Sequence, residues 1–390
     1  MEEVYDLDDA PGEGGLAVDM DDMGLQEAAG AGRDEDGAAA EVQRDDAVTV
    51  FSKHTGAVFC VAVDPKEGEL AVTGGEDDKA YVWGIKDGQV LFECTGHKDS
   101  VTAVDFSHDG AYVATGDMAG TIKAWKVATK KEVWSFEVSD LEWMQWHHGA
   151  HVLFAGTVDG DVWMWKVPSG DCKTFSGHGC PANSGKLMPD GKRLCVGYED
   201  GTVKVWDLKT GSPAHTFTGH GAHESSITSM DCHHDNTVIA TGSTDETAKL
   251  FNTVTGKVLA TFSCKAESSS EDKGSVEAVG FCPVNPILAT GNLAGNLTFW
   301  DISSHTERLS CNYEAGITRL KWAGDSPLVY TATLDGAVNL WDSRSGKLEQ
   351  QYLGHKWQVL DLALSQDGSH LVTASDDQTA RVFDTSKPDR

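Results

Sequence analysis

From residue 47 onward, apolar and polar residues alternate over short runs separated by turn residues. A period of two over four to eight positions is the pattern of a half-buried β-strand, and Gly, Asn, Asp and Ser between such runs mark turns. One stretch shows the unit in full. Gly96-His97 precedes Val101–Phe106, whose alternation predicts an inner strand, and His108-Asp109-Gly110 predicts a turn. Tyr112–Gly116, Thr121–Trp125 and Glu132–Phe136 predict three further strands of the same sheet.

The unit recurs. Trp83, Trp125, Trp165, Trp206, Phe251, Trp300, Trp341 and Phe383 close successive copies at intervals of 42, 40, 41, 45, 49, 41 and 42 residues. A period in the low forties, closed by Trp-Asp or a variant, is the signature of a WD-repeat β-propeller. Eight repeats predict an all-β ring of eight four-stranded blades over residues 47–390. The polar stretch 265–274 explains the longest interval as an inserted surface loop. After Phe383 no outer strand follows, whereas Ala47–Lys53 lies ahead of His54 as outer strands lie ahead of each Gly-His. That N-terminal segment is expected to complete the last blade and remove its exposed edge.

Four side chains recur at fixed offsets in the strongest repeats. Asp lies six residues before the anchor aromatic, Thr ten before it, and His 22 or 23 before the Asp. His54, Thr73, Asp77 and Trp83 are one set. His355, Thr373 and Asp377, with Phe383, are another; Thr241 and Asp245 pair better with His223 than with His220. The sets resemble the structural tetrad of WD-repeat proteins, a hydrogen-bonded chain inside each blade. Ala119 and Ala294 stand where Asp is expected, so blades two and six should carry incomplete, weaker networks. Recurrence also argues against a hydrolytic triad, which would be unique and exposed. His220, His223, Cys232, His233 and His234 match no common zinc spacing. The Gly-rich pieces lack the Lys-Ser/Thr pair of a phosphate loop. No metal, cofactor or enzymatic chemistry is therefore expected.

Charge changes the picture of the partner. The net charge is −30, of which residues 1–46 carry −14 (16 acids, 2 bases) and residues 47–390 carry −16 (45 acids, 29 bases). Both parts should repel nucleic acid and anionic membrane and suit a basic protein segment. Residues 1–46 are rich in Ala, Gly, Asp and Glu, and their low apolar content predicts a disordered acidic tail. Nine scattered cysteines without a CxxC pair look like reduced thiols. With no signal-peptide pattern and no long apolar run, they suggest a cytoplasmic or nuclear protein, which is expected to be a monomer.

Counting from the tetrads locates a docking face. Three positions per repeat should point to the end where inner strands begin: three and five residues after the tetrad His, and the residue before the tetrad Asp. Six of these positions are acidic, namely Glu76, Asp140, Glu142, Glu199, Glu277 and Asp376, and none is Lys or Arg. Phe59, Met118, Val158, Leu293, Leu334 and Leu360 add apolar side chains expected to be exposed. Carboxylates interleaved with apolar pockets suit an extended peptide bearing Lys or Arg and hydrophobic anchors. Trp143 near Asp140 and Glu142 could flank that surface.

The stretches Thr73–Ala80, Gly96–Val101, Ala114–Met118, Asp140–Met144, Trp163–Pro168 and Tyr198–Gly201, with the closing Pro388-Asp389-Arg390, resemble the angio-associated migratory cell protein family. The resemblance implies a function as well as a fold. Fungal relatives of that family are eight-bladed propellers that capture the basic N-terminus of a newly made large-subunit ribosomal protein. By resemblance that role would fall on the six acidic face residues. Animal members have been linked to cell migration and heparin binding, but two separated arginines in the tail lend a heparin role no support. A different expectation comes from Trp341-Asp342-Ser343-Arg344, which resembles the Trp-Asp-Xaa-Arg motif of cullin-type ubiquitin-ligase receptors. A scaffold or substrate-receptor subunit is thus the alternative.

Overall fold

A computed structural model describes residues 44–265 and 274–386. The expected tail over 1–46, apart from Arg44–Asp46, and most of the 265–274 loop lie outside the described residues.

Among the described residues the 32 strands form eight four-stranded antiparallel sheets. Inner strands of neighbouring sheets pack side by side, and that of sheet eight meets that of sheet one, closing the ring. The core is divided accordingly. One cluster joins Phe51, Val372 and Val382 of blade eight to Val58, Val61 and Trp83 of blade one. Polar side chains also stitch the inner strands together. The backbone N–H of Trp146 donates to the Asp105 carboxylate at 2.9 Å, and that of Leu187 to Gln145 Oε1 at 3.1 Å. Phe281 N–H reaches Asp231 at 2.9 Å and Val61 N–H reaches Asp361 at 3.0 Å.

Blade eight closes as expected, with a shorter strand. Of residues 47–53 only Thr49–Phe51 joins the ladder, opposite Val382, Arg381 and Ala380. The chain then leaves the sheet to deliver His54 into blade one. Phe51 stacks on Trp83 with ring centroids 4.6 Å apart, so the closing strand of one blade is held by the anchor of the next. Asp45 pairs with Arg381, and the Asp46 N–H donates to Leu353 O at 2.9 Å.

The tetrads are hydrogen-bonded chains. His54 Nδ1 lies 2.9 Å from Asp77 and its Nε2 3.0 Å from Thr73, which accepts the Trp83 indole N–H at 3.2 Å. His223 lies 2.9 Å from Asp245 and 2.7 Å from Thr241; His355 lies 3.0 Å from Asp377 and 2.7 Å from Thr373. The expectation of an incomplete network was wrong for blade two. In blade two Asp117, two residues ahead of Ala119, ends the second strand and reaches His97 Nδ1 at 3.1 Å. It also accepts the N–H groups of Lys98 (2.9 Å) and Thr121 (2.7 Å), and the Thr115 and Trp125 links are intact. In blade six the described network lacks a histidine: Asn292 donates to Cys264 O at 2.8 Å and accepts the Asn296 N–H at 2.8 Å, and the Cys264 thiol meets the Thr290 hydroxyl at 3.7 Å. A polar side chain at the strand end reaches the same groups as one in the turn, so counting alone missed it. Networks are also broken in blades three and four, which carry Ala155 and Val196 ten residues before their tryptophans. The Trp165 indole N–H is buried without a partner among the described residues.

Candidate functional site

One hydrogen bond, repeated in all eight blades, gathers the docking-face positions. The residue expected before the tetrad Asp donates its N–H to the carbonyl three residues after the tetrad His: Glu76 to Ala57, Met118 to Ser100, Val158 to Asp140 and Glu199 to Pro181. Thr244 to Ser226, Leu293 to Ser275, Leu334 to Gly316 and Asp376 to Gln358 complete the set, at 2.9–3.2 Å throughout. Antiparallel pairing brings the start of the inner strand beside the end of the second, so these turns share one end of the ring.

The acids are unevenly spread over that end. Glu76, Asp140, Glu199 and Asp376 are exposed; Glu142 and Glu277 are half-buried. Glu76 Oε2 accepts the Ala57 N–H at 3.1 Å, and Glu277 turns back on the Ser275 hydroxyl at 2.6 Å. The dense region lies on blades three and four. Burial, with the neighbouring Glu199 and Asp140 carboxylates, raises the Glu142 pKa above the usual carboxylate value. Like charges held this close favour any cation that can enter.

The apolar members are more retracted than expected. Met118 and Leu334 are 49% and 40% exposed, whereas Phe59, Val158, Leu293 and Leu360 are half-buried. The most prominent apolar side chain was not in the set: Trp357, two residues after His355, is 53% exposed. An unexplained Trp in Gly354-His355-Lys356-Trp357 was the available signal. Several polar positions serve the ring instead. The Thr318 hydroxyl donates to Val359 O at 2.7 Å, Asn183 donates to the Ser226 hydroxyl at 2.7 Å, and the Thr228 hydroxyl bonds Val276 O. Trp143 fills a slot between blades three and four, where only glycine at 156 and 185 leaves room for its indole.

Cations lie further along the inner strands. Lys186 faces Asp231 at 3.7 Å and Arg319 faces Asp361 at 3.8 Å. Burial holds Asp361 above and Lys321 below their ordinary pKa values. Burial also pushes the Asp105 carboxyl up to about 6, against the opposing pull of the Trp146 and Phe106 N–H groups and of Lys321 and Lys186. The mouth of the ring is acidic and its bore is mixed. Of the suspected histidine cluster, His223 belongs to its tetrad, while the His233 and His234 rings lie 4.1 Å apart at a 42° tilt and His233 pairs with Asp235 at 2.9 Å. In the Trp-Asp-Xaa-Arg motif, Arg344 forks back onto Asp342 at 2.8–2.9 Å.

The repeat geometry matches known proteins. The model of the WD domain, G-beta repeat, matches residues 46–84, 88–126, 170–207, 211–252, 304–342 and 346–384. Each match runs from one blade's outer strand to the next blade's anchor, which is the offset that closes the ring. The human angio-associated migratory cell protein is 48% identical over 406 aligned positions, covering 100% of this chain and 94% of the relative. The chain belongs to the angio-associated migratory cell protein family of WD-repeat propellers. A more distant relative is the ribosome assembly protein SQT1 of Saccharomyces cerevisiae, 24% identical, covering 87% of each chain. Among solved structures, Chaetomium thermophilum Sqt1 bound to the N-terminus of the ribosomal protein L10 superposes with a TM-score of 0.80. It is 24% identical and covers 88% of this chain and 100% of its own. For this member of the angio-associated migratory cell protein family, that likeness shows the eight-bladed fold.

Proposed function

We propose that this propeller is a non-enzymatic chaperone that holds a basic segment of a newly made large-subunit ribosomal protein across the acidic end of the ring. The observation that carries the reading is the group Asp140, Glu142 and Glu199, in which burial first, and then repulsion from the Glu199 and Asp140 carboxylates, raises the Glu142 pKa. Arg or Lys side chains entering there would relieve that repulsion. Exposed Met118, Leu334 and Trp357 on the same end offer anchors for apolar residues of the same segment. The distant Sqt1 relatives, one solved with a ribosomal-protein N-terminus, point the same way.

The test is a pull-down from salt-washed extract with Glu76, Glu142 and Glu199 each changed to Lys, and separately with Trp357→Ala. Both variants should keep the wild-type circular dichroism. The charge reversals should lower recovery of the ribosomal protein at least about tenfold and flatten its salt dependence; Trp357→Ala should weaken recovery without changing that dependence. Undiminished recovery with the three reversals would sink the proposal.

A further inference from the structure

Blade four breaks the tetrad rule in a way that frees its histidine. In blades one, two, five and eight the tetrad His is fully buried at its side chain, or nearly so, with Nδ1 on Asp and Nε2 on Thr. In blade four Val196 stands in the Thr position and offers no hydroxyl. His178 has swung outward: its side chain is 32% exposed, and Nε2, not Nδ1, meets Asp200 Oδ2 at 2.9 Å. Two residues on, the Cys180 sulfur accepts the Asp200 backbone N–H at 3.3 Å. Imidazole nitrogen, thiol sulfur and carboxylate oxygen all lie within 4.8 Å of one another.

We propose that His178, Cys180 and Asp200 form a binding site for a zinc-like divalent transition metal on the rim of the docking face. A tetrahedral zinc ion, with bonds of about 2.0–2.3 Å, needs ligand atoms about 3.3–3.6 Å apart, so small side-chain rotations suffice. Sulfur with nitrogen selects zinc or cobalt over calcium and magnesium, which take oxygen donors. The surroundings are already arranged for it. Thr202 N–H holds Asp200 Oδ1 at 3.0 Å, and the metal would replace the proton that His178 Nε2 and Asp200 Oδ2 share at 2.9 Å. The N–H on Cys180 would support a thiolate in the manner of outer ligands at metal sites. Gly179, at φ +77° and with nothing within 4 Å of an added Cβ, leaves the approach open. Three protein ligands leave a fourth position for water. Binding displaces the thiol proton to solvent. The site is independent of whether the ring carries a ribosomal protein, although the ion would lie beside Glu199 and offset part of the acidic field.

The test uses the full chain, stripped with a chelator and titrated with Co²⁺ under reducing conditions. One equivalent should produce a near-ultraviolet thiolate-to-cobalt band that Zn²⁺ abolishes. Cys180→Ser should remove the band and His178→Asn should weaken binding more than about tenfold, the least expected when even residues that only orient ligands cost that much. Cys172→Ser, which changes the exposed cysteine on the outer strand of blade three, should leave the band unaltered. Unchanged thermal melting of the apo variants separates ligand loss from misfolding. No binding, or binding that lacks the band and survives both variants, would overturn the proposal. The second outcome would move the metal to His108, Asp109 and His151 on the opposite turns, which offer no sulfur.

Discussion

Replacing Phe51 by Ala should loosen the ring at its closure. Phe51 is 1% exposed and sits in a core shared by blades eight and one, stacked on Trp83 at 4.6 Å with a 9° interplanar angle. Returning its surface to water costs about 1.5–3 kcal/mol, and the cavity left against Trp83 and Val382 raises the loss to about 3–5 kcal/mol. The strand that carries it pairs over only three residues, so little else compensates. Urea unfolding followed by tryptophan fluorescence should show that loss. Hydrogen exchange at Ala380–Asp384 should accelerate more than exchange in the strands of blade four, because opening begins where the chain ends meet. Val50→Ala, at a 43% exposed position of the same strand, should cost well under about 1 kcal/mol. A Phe51→Ala loss below about 1 kcal/mol, or exchange rising equally in blade four, would refute the idea that this side chain holds the ring shut.

Two further outcomes follow from the buried acids. Asp117→Ala should destabilise by about 3–5 kcal/mol, since it strips His97 and two backbone N–H groups of their acceptor, whereas Ala119→Asp should change urea unfolding by less than about 0.5 kcal/mol. Equal effects would restore the turn position as the structural one. Asp105, with a folded pKa of about 6 against about 3.9 unfolded, keeps a proton on folding between those values, so its contribution to stability falls as pH rises through that window. Asp105→Asn should therefore match the wild type near pH 4 and exceed it by up to about 3 kcal/mol at pH 7, read as a melting-temperature gap that opens with pH. A gap independent of pH would show that the carboxyl ionises normally.

The repeat itself was legible because it is local chemistry. A strand's period, a turn and an anchor aromatic need only a few neighbouring residues, so eight copies yielded the blade count, the closing strand and the end of the ring where Glu76, Glu142 and Glu199 lie. What failed were features decided by reach through space. Asp117 completes its network from a position that no fixed offset selects, because a side chain is chosen by where its oxygen arrives. Trp357 is exposed because the turn after His355 projects it, which spacing does not encode. The grouping of Asp140 and Glu142 with Glu199 depends on two blades meeting, and the raised Glu142 pKa exists only once they do. His178, Cys180 and Asp200 are likewise unremarkable in sequence; blade four brings them together when Val196 fails to hold the histidine inside. Periodicity determined the ring, and contacts between turns and between blades determined its chemistry, because burial, charge and donor distance arise only between parts of the chain that folding makes neighbours.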